Sequence, residues 1–213
     1  MLACISIVVA AYFLGSIPTG YLAARAKGVD IRTVGSGNIG ATNAMRVLGK
    51  PAGIAVLLLD ALKGYAAVAW ACPLLIRTFH GPAAEVETLR IVAGIAVVLG
   101  HNFTCWLKFR GGKGIATSGG AYLALAPVAV GVAVAAFLLA VLLTRYVSLG
   151  SIAAAIALAT AVWCLPEHSL FLGTVTTALG AMAIYKHRSN IKRLMAGTES
   201  RIGKKTEIQE GAK

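Results

Sequence analysis

Apolar runs of roughly 17–25 residues recur along the chain, separated by short segments that carry most of its charge. Each such run is long enough to cross about 30 Å of hydrocarbon as a helix. Hydrophobic residues make up 58% of the sequence, against about 45–50% in soluble domains. The expected fold is therefore all-α, a polytopic transmembrane helix bundle. Nothing in the chain reads as a linker or an internal repeat, so residues 1–200 are expected to form one membrane domain, followed by a basic tail over 201–213.

The net charge of +12 has a topological meaning. A nucleic-acid binder spreads its bases over a soluble face, whereas here they sit between apolar runs. No nucleic-acid partner is expected, and the bases mark cytoplasmic segments. The first run, about 2–24, has Arg25 and Lys27 after it and no basic segment before it. It is therefore expected to stay as a span, with the N-terminus outside. Its second half contains Gly15, Ser16, Pro18 and Gly20 and should kink. Lys27, Arg32, Arg46 and Lys50 mark a cytoplasmic loop. A second span covers about 51–76, an external loop about 77–88 carries Glu85 and Glu87, and a third span covers about 89–107. The basic turn Lys108–Lys113 and the basic tail from Lys186 should share the cytoplasmic side, so an even number of crossings must separate them. A break at Pro166-Glu167-His168 divides 147–185 in two, and 117–144 must divide near Pro127. About seven spans follow, with five as the alternative count. Cys4, Cys72, Cys105 and Cys164 stand singly in apolar sequence and read as small buried hydrophobes. No metal ligands are grouped and no cofactor is expected.

Three segments on the cytoplasmic side hold the polar chemistry. Gly35 to Arg46 places three glycines within six residues. These let backbone N–H groups converge on an anion, with Ser36, Asn38 and Thr42 as short donors. If a helix starts after this loop, its N-terminus adds to the site, and Asn43 and Arg46 share a face at i,i+3. Phe109 to Thr117 has the composition of a phosphate cradle, with Gly111, Gly112 and Gly114 around Lys113. It is not a nucleotide-binding P-loop, because Gly114 stands where Ser or Thr would follow the lysine. In Tyr185 to Leu194, His187 and Asn190 share a helical face beside several bases, an arrangement suited to catalysis. Ser148 opens a later run and reads either as a site hydroxyl or as a helix cap. Asp60 and Lys63 lie in mid-span and should pair inside the bundle, because an unpaired charge there is costly.

These residues resemble the PlsY family of bacterial acyl-phosphate:glycerol-3-phosphate acyltransferases. The resemblance rests on Gly15 to Gly20, Gly35 to Asn43, Asp60 to Gly64, Gly100-His101-Asn102-Phe103 with Phe109 to Thr117, and His187 to Ile191. It spans about residues 10–200. It implies transfer of a fatty acyl group from acyl phosphate to the 1-hydroxyl of glycerol 3-phosphate, giving lysophosphatidic acid and inorganic phosphate. This is the first step of phospholipid synthesis, downstream of the enzyme that makes acyl phosphate. It implies a multi-pass protein of the bacterial inner membrane, with its site on the cytoplasmic side. By the same resemblance the Gly111–Gly114 turn holds acyl phosphate. Ser36, Arg46, Lys113, Ser148, His187 and Asn190 hold glycerol 3-phosphate, and Asp60, Lys63, His101, Asn102 and Glu199 support the site. Read from the residues alone, a transporter of small phosphorylated metabolites also suits a kinked first span and anion loops.

Overall fold

The computed structural model describes residues 1–166 and 169–202, the side chain of Ala83 excepted. Of the expected tail only Arg201 and Ile202 fall among them. All regular structure among the described residues is helical.

Helix α1 (Leu2–Ser16) stops before Pro18 and α2 (Thr19–Arg25) resumes after it. A proline lacks the N–H that would continue the ladder and pushes the residue before it out of the helical region. Ile17 accordingly has φ −57°, ψ 112°. The kink expected from the sequence is present, and its freed carbonyls find tertiary donors. Thr104 Oγ1 donates to Ser16 O at 2.6 Å, and Lys63 Nζ donates to Ile17 O at 2.9 Å. A short α3 (Ala41–Leu48) leads into α4 (Lys50–Ala66), which runs on through a π-turn at Ala67–Ala71 into α5 (Cys72–Thr78). The wide turn, closed by Cys72 N–H bonding to Ala67 O, lies just before Pro73. A proline ring there would strike the carbonyl one turn back in a regular α-helix.

Then follow α6 (Val86–Asn102), α7 (Ile115–Leu125), α8 (Pro127–Thr144), α9 (Val147–Cys164), α10 (Leu170–Lys186) and α11 (Arg188–Met195). Five helical stretches are long and apolar enough to cross a membrane: Leu2–Arg25, Lys50–Thr78, Val86–Leu107, Pro127–Thr144 and Val147–Cys164. Helices α7 and α10 are apolar but shorter. The break expected near Pro127 is present. Of the break expected at Pro166-Glu167-His168, residues 167–168 lie outside the described residues, with α9 ending before them at Cys164 and α10 starting after them at Leu170. Helix α7 is only roughly 16 Å long at 1.5 Å per residue. It nevertheless climbs from the Lys108–Gly114 turn to the level of Arg90, whose Nη2 donates to Ala124 O at 2.6 Å.

Close approach of backbones holds the bundle together. A Cβ on Gly64 would lie 2.1 Å from Thr117 O, and one on Gly120 would lie 1.8 Å from Ala61 O, so α4 and α7 meet backbone to backbone. Gly15 against Val97 and Gly100 against Tyr12 bring α1 and α6 together in the same way. Such small-residue contacts substitute in lipid for a hydrophobic drive between helices. Leu138, Leu139, Leu142 and Leu143 face outward on α8, as a lipid-facing surface requires. Cys72 is buried as expected, but Cys164 is exposed on the same apolar exterior.

At one end of the bundle, Ala24, Ile31, Ile39, Ala44, Val56 and Leu107 form a small core. It pins the loop after α2, together with α3, against α4. The loops after α6 and α10 lie at this same end, and so does the α8–α9 junction, where Arg145 O accepts from Ile202 N at 2.9 Å. At the other end Ser169 Oγ donates to Glu87 Oε1 at 2.7 Å. Among the described residues, α7, α8, α9 and α10 thus run in turn between these two ends.

Candidate active site

The first loop is folded around Asn43. Its Nδ2 donates to Ile31 O at 3.2 Å, Val34 O at 3.0 Å and Asn38 O at 2.9 Å, and its Oδ1 accepts from Ser36 N at 2.9 Å. Asn43 is thus a buried organiser of the loop, while Arg46, one turn on, is exposed. Gly35 and Gly37 hold φ of +64° and +67°, a region costly for other residues. Asn38 Oδ1 accepts from Gly40 N at 2.8 Å, closing a local turn. Thr42 is half-buried in the first turn of α3.

The second loop differs from the cradle expected of it. Gly111 N donates to Asn102 O at 3.2 Å and Gly112 N to His101 O at 3.0 Å. Both amides therefore bond to the last carbonyls of α6 instead of converging on an anion. A Cβ on Gly112 would lie 2.1 Å from His101 Nε2, so the glycine is required by close packing on that ring. His101 Nδ1 in turn lies 3.6 Å from Asp60 Oδ1. Asp60 also accepts from Thr19 Oγ1 at 2.6 Å and pairs with Lys63 Nζ at 2.8 Å. The mid-span pair is thus present and sits behind the glycine loop. Gly114, at φ +84°, starts α7. Asn102 and Thr117 are fully buried, and Asn102 Oδ1 and Thr117 Oγ1 lack a protein partner.

Lys113 turns the other way and donates to Asn190 Oδ1 on α11. Asn190 Nδ2 donates to Glu199 Oε1 at 2.7 Å, Ser148 Oγ donates to the same oxygen at 2.8 Å, and Arg193 Nε donates to Glu199 Oε2 at 2.7 Å. Ser148 is therefore not a cap. Tyr146 holds the cap position of α9 and no side chain caps it. His187 lies at the α10–α11 junction, 3% exposed, with Nδ1 2.8 Å from Ala183 O. A carbonyl only accepts, so Nδ1 carries the proton and Nε2 the lone pair.

A cleft of about 330 Å³ lies above this network, bounded by Ser36, Gly37 and Asn38 from the first loop, Phe109 to Lys113 from the second, and Lys186 and Arg188 to Asn190 with Arg193 from the third. Of the residues singled out in the sequence, Ser36, Asn38, Gly111, Gly112, Lys113 and Asn190 reach it. Thr42, Asn43, Arg46, Gly114, Thr117, Ser148 and His187 do not line it. Arg46 nevertheless lies near enough for its charge to act on Lys113. Arg193 was missed as a site residue, although its i,i+3 spacing from Asn190 on a helix was a usable signal.

Five bases (Arg110, Lys113, Lys186, Arg188 and Arg193) face the cleft, so it suits anions. Burial pushes the Lys113 ammonium down to about 8; Glu199 opposes that shift, and Arg193 and Arg46 add to it. Burial, helped by the charge of Lys113, pushes His187 down to about 4. Burial alone would raise the Glu199 carboxyl, but hydrogen bonds from Asn190, Ser148 and Arg193 outweigh it and hold the group below its ordinary value.

A cationic cleft at one end of a lipid-facing helix bundle defines a multi-pass membrane protein that works on small anionic molecules. The chain belongs to the glycerol-3-phosphate acyltransferase family, and is an acyltransferase, since the sequence model of that family matches residues 5–197. Relatives named glycerol-3-phosphate acyltransferase include one from Geotalea daltonii, 44% identical over 92% of this chain and 96% of its own. Another, from Synechococcus elongatus, is 47% identical over 96% and 97%. A crystal structure of PlsY (YgiH), an integral membrane glycerol 3-phosphate acyltransferase in its glycerol 3-phosphate form, superposes with a TM-score of 0.83 at 39% identity, covering 94% of this chain and 96% of that one. The lysophosphatidic acid form superposes at 0.80. The resemblance drawn from the motifs is therefore correct.

Proposed function

We propose that this protein acylates the 1-hydroxyl of glycerol 3-phosphate from a fatty acyl phosphate, at the cytoplasmic face of the bacterial inner membrane. The observation that carries this reading is the cleft itself. Loops separated by some seventy residues or more in the chain bring Ser36, Lys113 and Asn190 to one cationic cleft of about 330 Å³, at the end of the bundle that holds the basic segments.

The hydroxyl oxygen bonds to the acyl carbonyl carbon, the bond from that carbon to the phosphate oxygen breaks, and phosphate leaves. An acyl phosphate is already activated, so the protein's task is positioning and charge stabilisation. Lys113, with Arg46 and Arg193 near it, supplies positive charge to the phosphates, Ser36 offers a hydroxyl donor at the cleft wall, and Ser148 and Asn190 hold the geometry beneath. The loop from Gly111 to Gly114 sets the donor's place by its shape, because the amides of Gly111 and Gly112 are already bonded. His187 lies behind the residues that line the cleft, 3% exposed; by the family resemblance its Nε2 lone pair is the neutral acceptor for the hydroxyl. With a pKa near 4 it is a poorer proton acceptor than a phosphate oxygen, which titrates at about 6. The phosphate therefore takes the proton, and His187 orients the hydroxyl.

Purified protein in detergent, given acyl phosphate and glycerol 3-phosphate, is expected to release phosphate and lysophosphatidic acid in equal amounts. Acyl-CoA is expected not to replace the donor. Product from acyl-CoA alone would refute the donor assignment, and no product from either would refute the reading as a whole.

A further inference from the structure

On the acyltransferase reading, the cleft must admit the head of a fatty chain as well as phosphates, yet its walls are almost wholly polar. Among the described residues that bound it, Phe109 alone carries an apolar side chain; the others are glycines, bases, hydroxyls or amides. Phe109 is 62% exposed, although burial of an aromatic ring is favourable. A bare ring beside five bases needs a reason.

Its backbone sharpens the question. Lys108 and Phe109 hold φ of +53° and +60°, a left-handed pair that residues with a Cβ adopt at a cost. The turn is tied down firmly enough to sustain it. Phe109 N donates to Thr104 O at 3.0 Å, and Arg110 N to Leu107 O at 3.1 Å. The same turn is bound to α1, where Thr104 Oγ1 donates to Ser16 O at 2.6 Å and Tyr12 OH donates to Phe103 O at 2.7 Å. Glycine or asparagine would meet the backbone requirement with less strain. A phenylalanine stands there instead, so the ring itself is what the position supplies.

The turn also reaches the lipid side. Trp106, three residues back, is 63% exposed, and its ring centroid lies 6.2 Å from that of Phe13 on the spanning helix α1. An acyl chain whose carbonyl carbon sits at the phosphates must pass from the polar cleft to hydrocarbon, and each methylene left against water or bases on the way costs free energy.

We propose that Phe109 is the acyl-chain contact of the cleft: its ring carries the first methylenes of the donor's chain out past Trp106 into the lipid. The proposal rests on the acyltransferase reading above.

The test uses two substitutions that separate ring from backbone, assayed in detergent with hexadecanoyl phosphate and glycerol 3-phosphate. Phe109→Leu keeps an apolar side chain and does nothing to favour the turn. Phe109→Asn suits the left-handed backbone and removes the apolar surface. Phe109→Asn is expected to raise KM for hexadecanoyl phosphate about tenfold to a hundredfold. Phe109→Leu should stay within about threefold of wild type. KM for glycerol 3-phosphate should stay within about twofold in both. A wild-type donor KM in Phe109→Asn, an equal rise in Phe109→Leu, or a matching rise for glycerol 3-phosphate would overturn the proposal. If Phe109→Asn does not accumulate, Phe109→Gly decides in its place with the same expectation, since glycine also accepts the backbone and lacks the ring. Wild-type protein that releases no phosphate refutes the underlying acyltransferase reading; an active wild type with a normal Phe109→Asn refutes only this one.

Discussion

Lys113 is a cation held where cations are costly, and that cost sets its usefulness. With its pKa pushed down to about 8, it is charged at neutral pH and loses its proton just above. We expect kcat/KM to fall above about pH 8, where the free enzyme no longer presents an ammonium to the phosphates. Lys113→Arg keeps its charge throughout that range, so it should abolish the limb while lowering kcat, since the guanidinium cannot reproduce the single bond to Asn190. A limb that persists in Lys113→Arg would assign it to another group. His187 leads to a different outcome. Its folded pKa of about 4 lies below the ordinary 6.5, so the unfolded chain binds the extra proton between these values. The resulting stability is complete above about pH 6.5 and declines as pH falls towards 4. An acid limb near pH 6–7 in kcat/KM belongs to substrate phosphate and should survive in His187→Asn, which is expected to raise KM for glycerol 3-phosphate and lower kcat about tenfold to a hundredfold. Loss of that limb, with kcat down more than about a thousandfold, would make His187 the general base.

At the scale of elements, the kink between α1 and α2, the middle of α4 and the end of α6 form one polar unit. Asp60 Oδ1 takes Thr19, Lys63 and His101, and Lys63 caps the freed Ile17 carbonyl. Removing one member of a buried pair leaves the other charge uncompensated, at about 3–5 kcal/mol, whereas removing both costs less. Asp60→Ala and Lys63→Ala should therefore each lower the Tm in detergent more than the double variant does; additive losses would show that the two do not act as a pair. The i,i+3 pairing was legible in the sequence, because both partners lie on one helix and lipid forbids an unpaired charge. Thr19 and His101 were not legible as partners of Asp60, being 41 residues away from it in each direction along the chain. The same limit applied at the loops. Glycine density announced tight backbone, but not that Gly112 makes room for His101, nor that the amides of Gly111 and Gly112 bond to α6. Asn43 read as sharing the site-facing side of α3 with Arg46 and is the peg around which its own loop is folded.

For the whole molecule, span lengths, the Pro18 kink, the break at Pro127 and the end that carries the bases followed from physics acting along the chain. Convergence of three distant loops did not, since it depends on which helices pack. Glycine pairs decide that, such as Gly64 and Gly120 between α4 and α7, and one chain does not show which glycines face each other. The geometry also bears on whether α7 counts as a passage. Eleven residues are too short to span about 30 Å, but α7 is covered by α4 and α6, and its far end reaches Arg90. Its end is thus held by protein contacts, and α8 runs back to Arg145. We accordingly expect seven passages with the cleft inside. Single cysteines replacing Arg32, Arg110 or Arg188, in a background with Cys4, Cys72, Cys105 and Cys164 changed to Ala, should react with a membrane-impermeant thiol reagent only after the membrane is opened from within. One replacing Glu85 should react from outside in intact cells. The two faces test different claims: labelling of Arg188→Cys from outside would remove one passage between the glycine turn and the tail and place Asn190 on the wrong side of Lys113. Because those two side chains bond directly, that single result would contradict the site along with the topology.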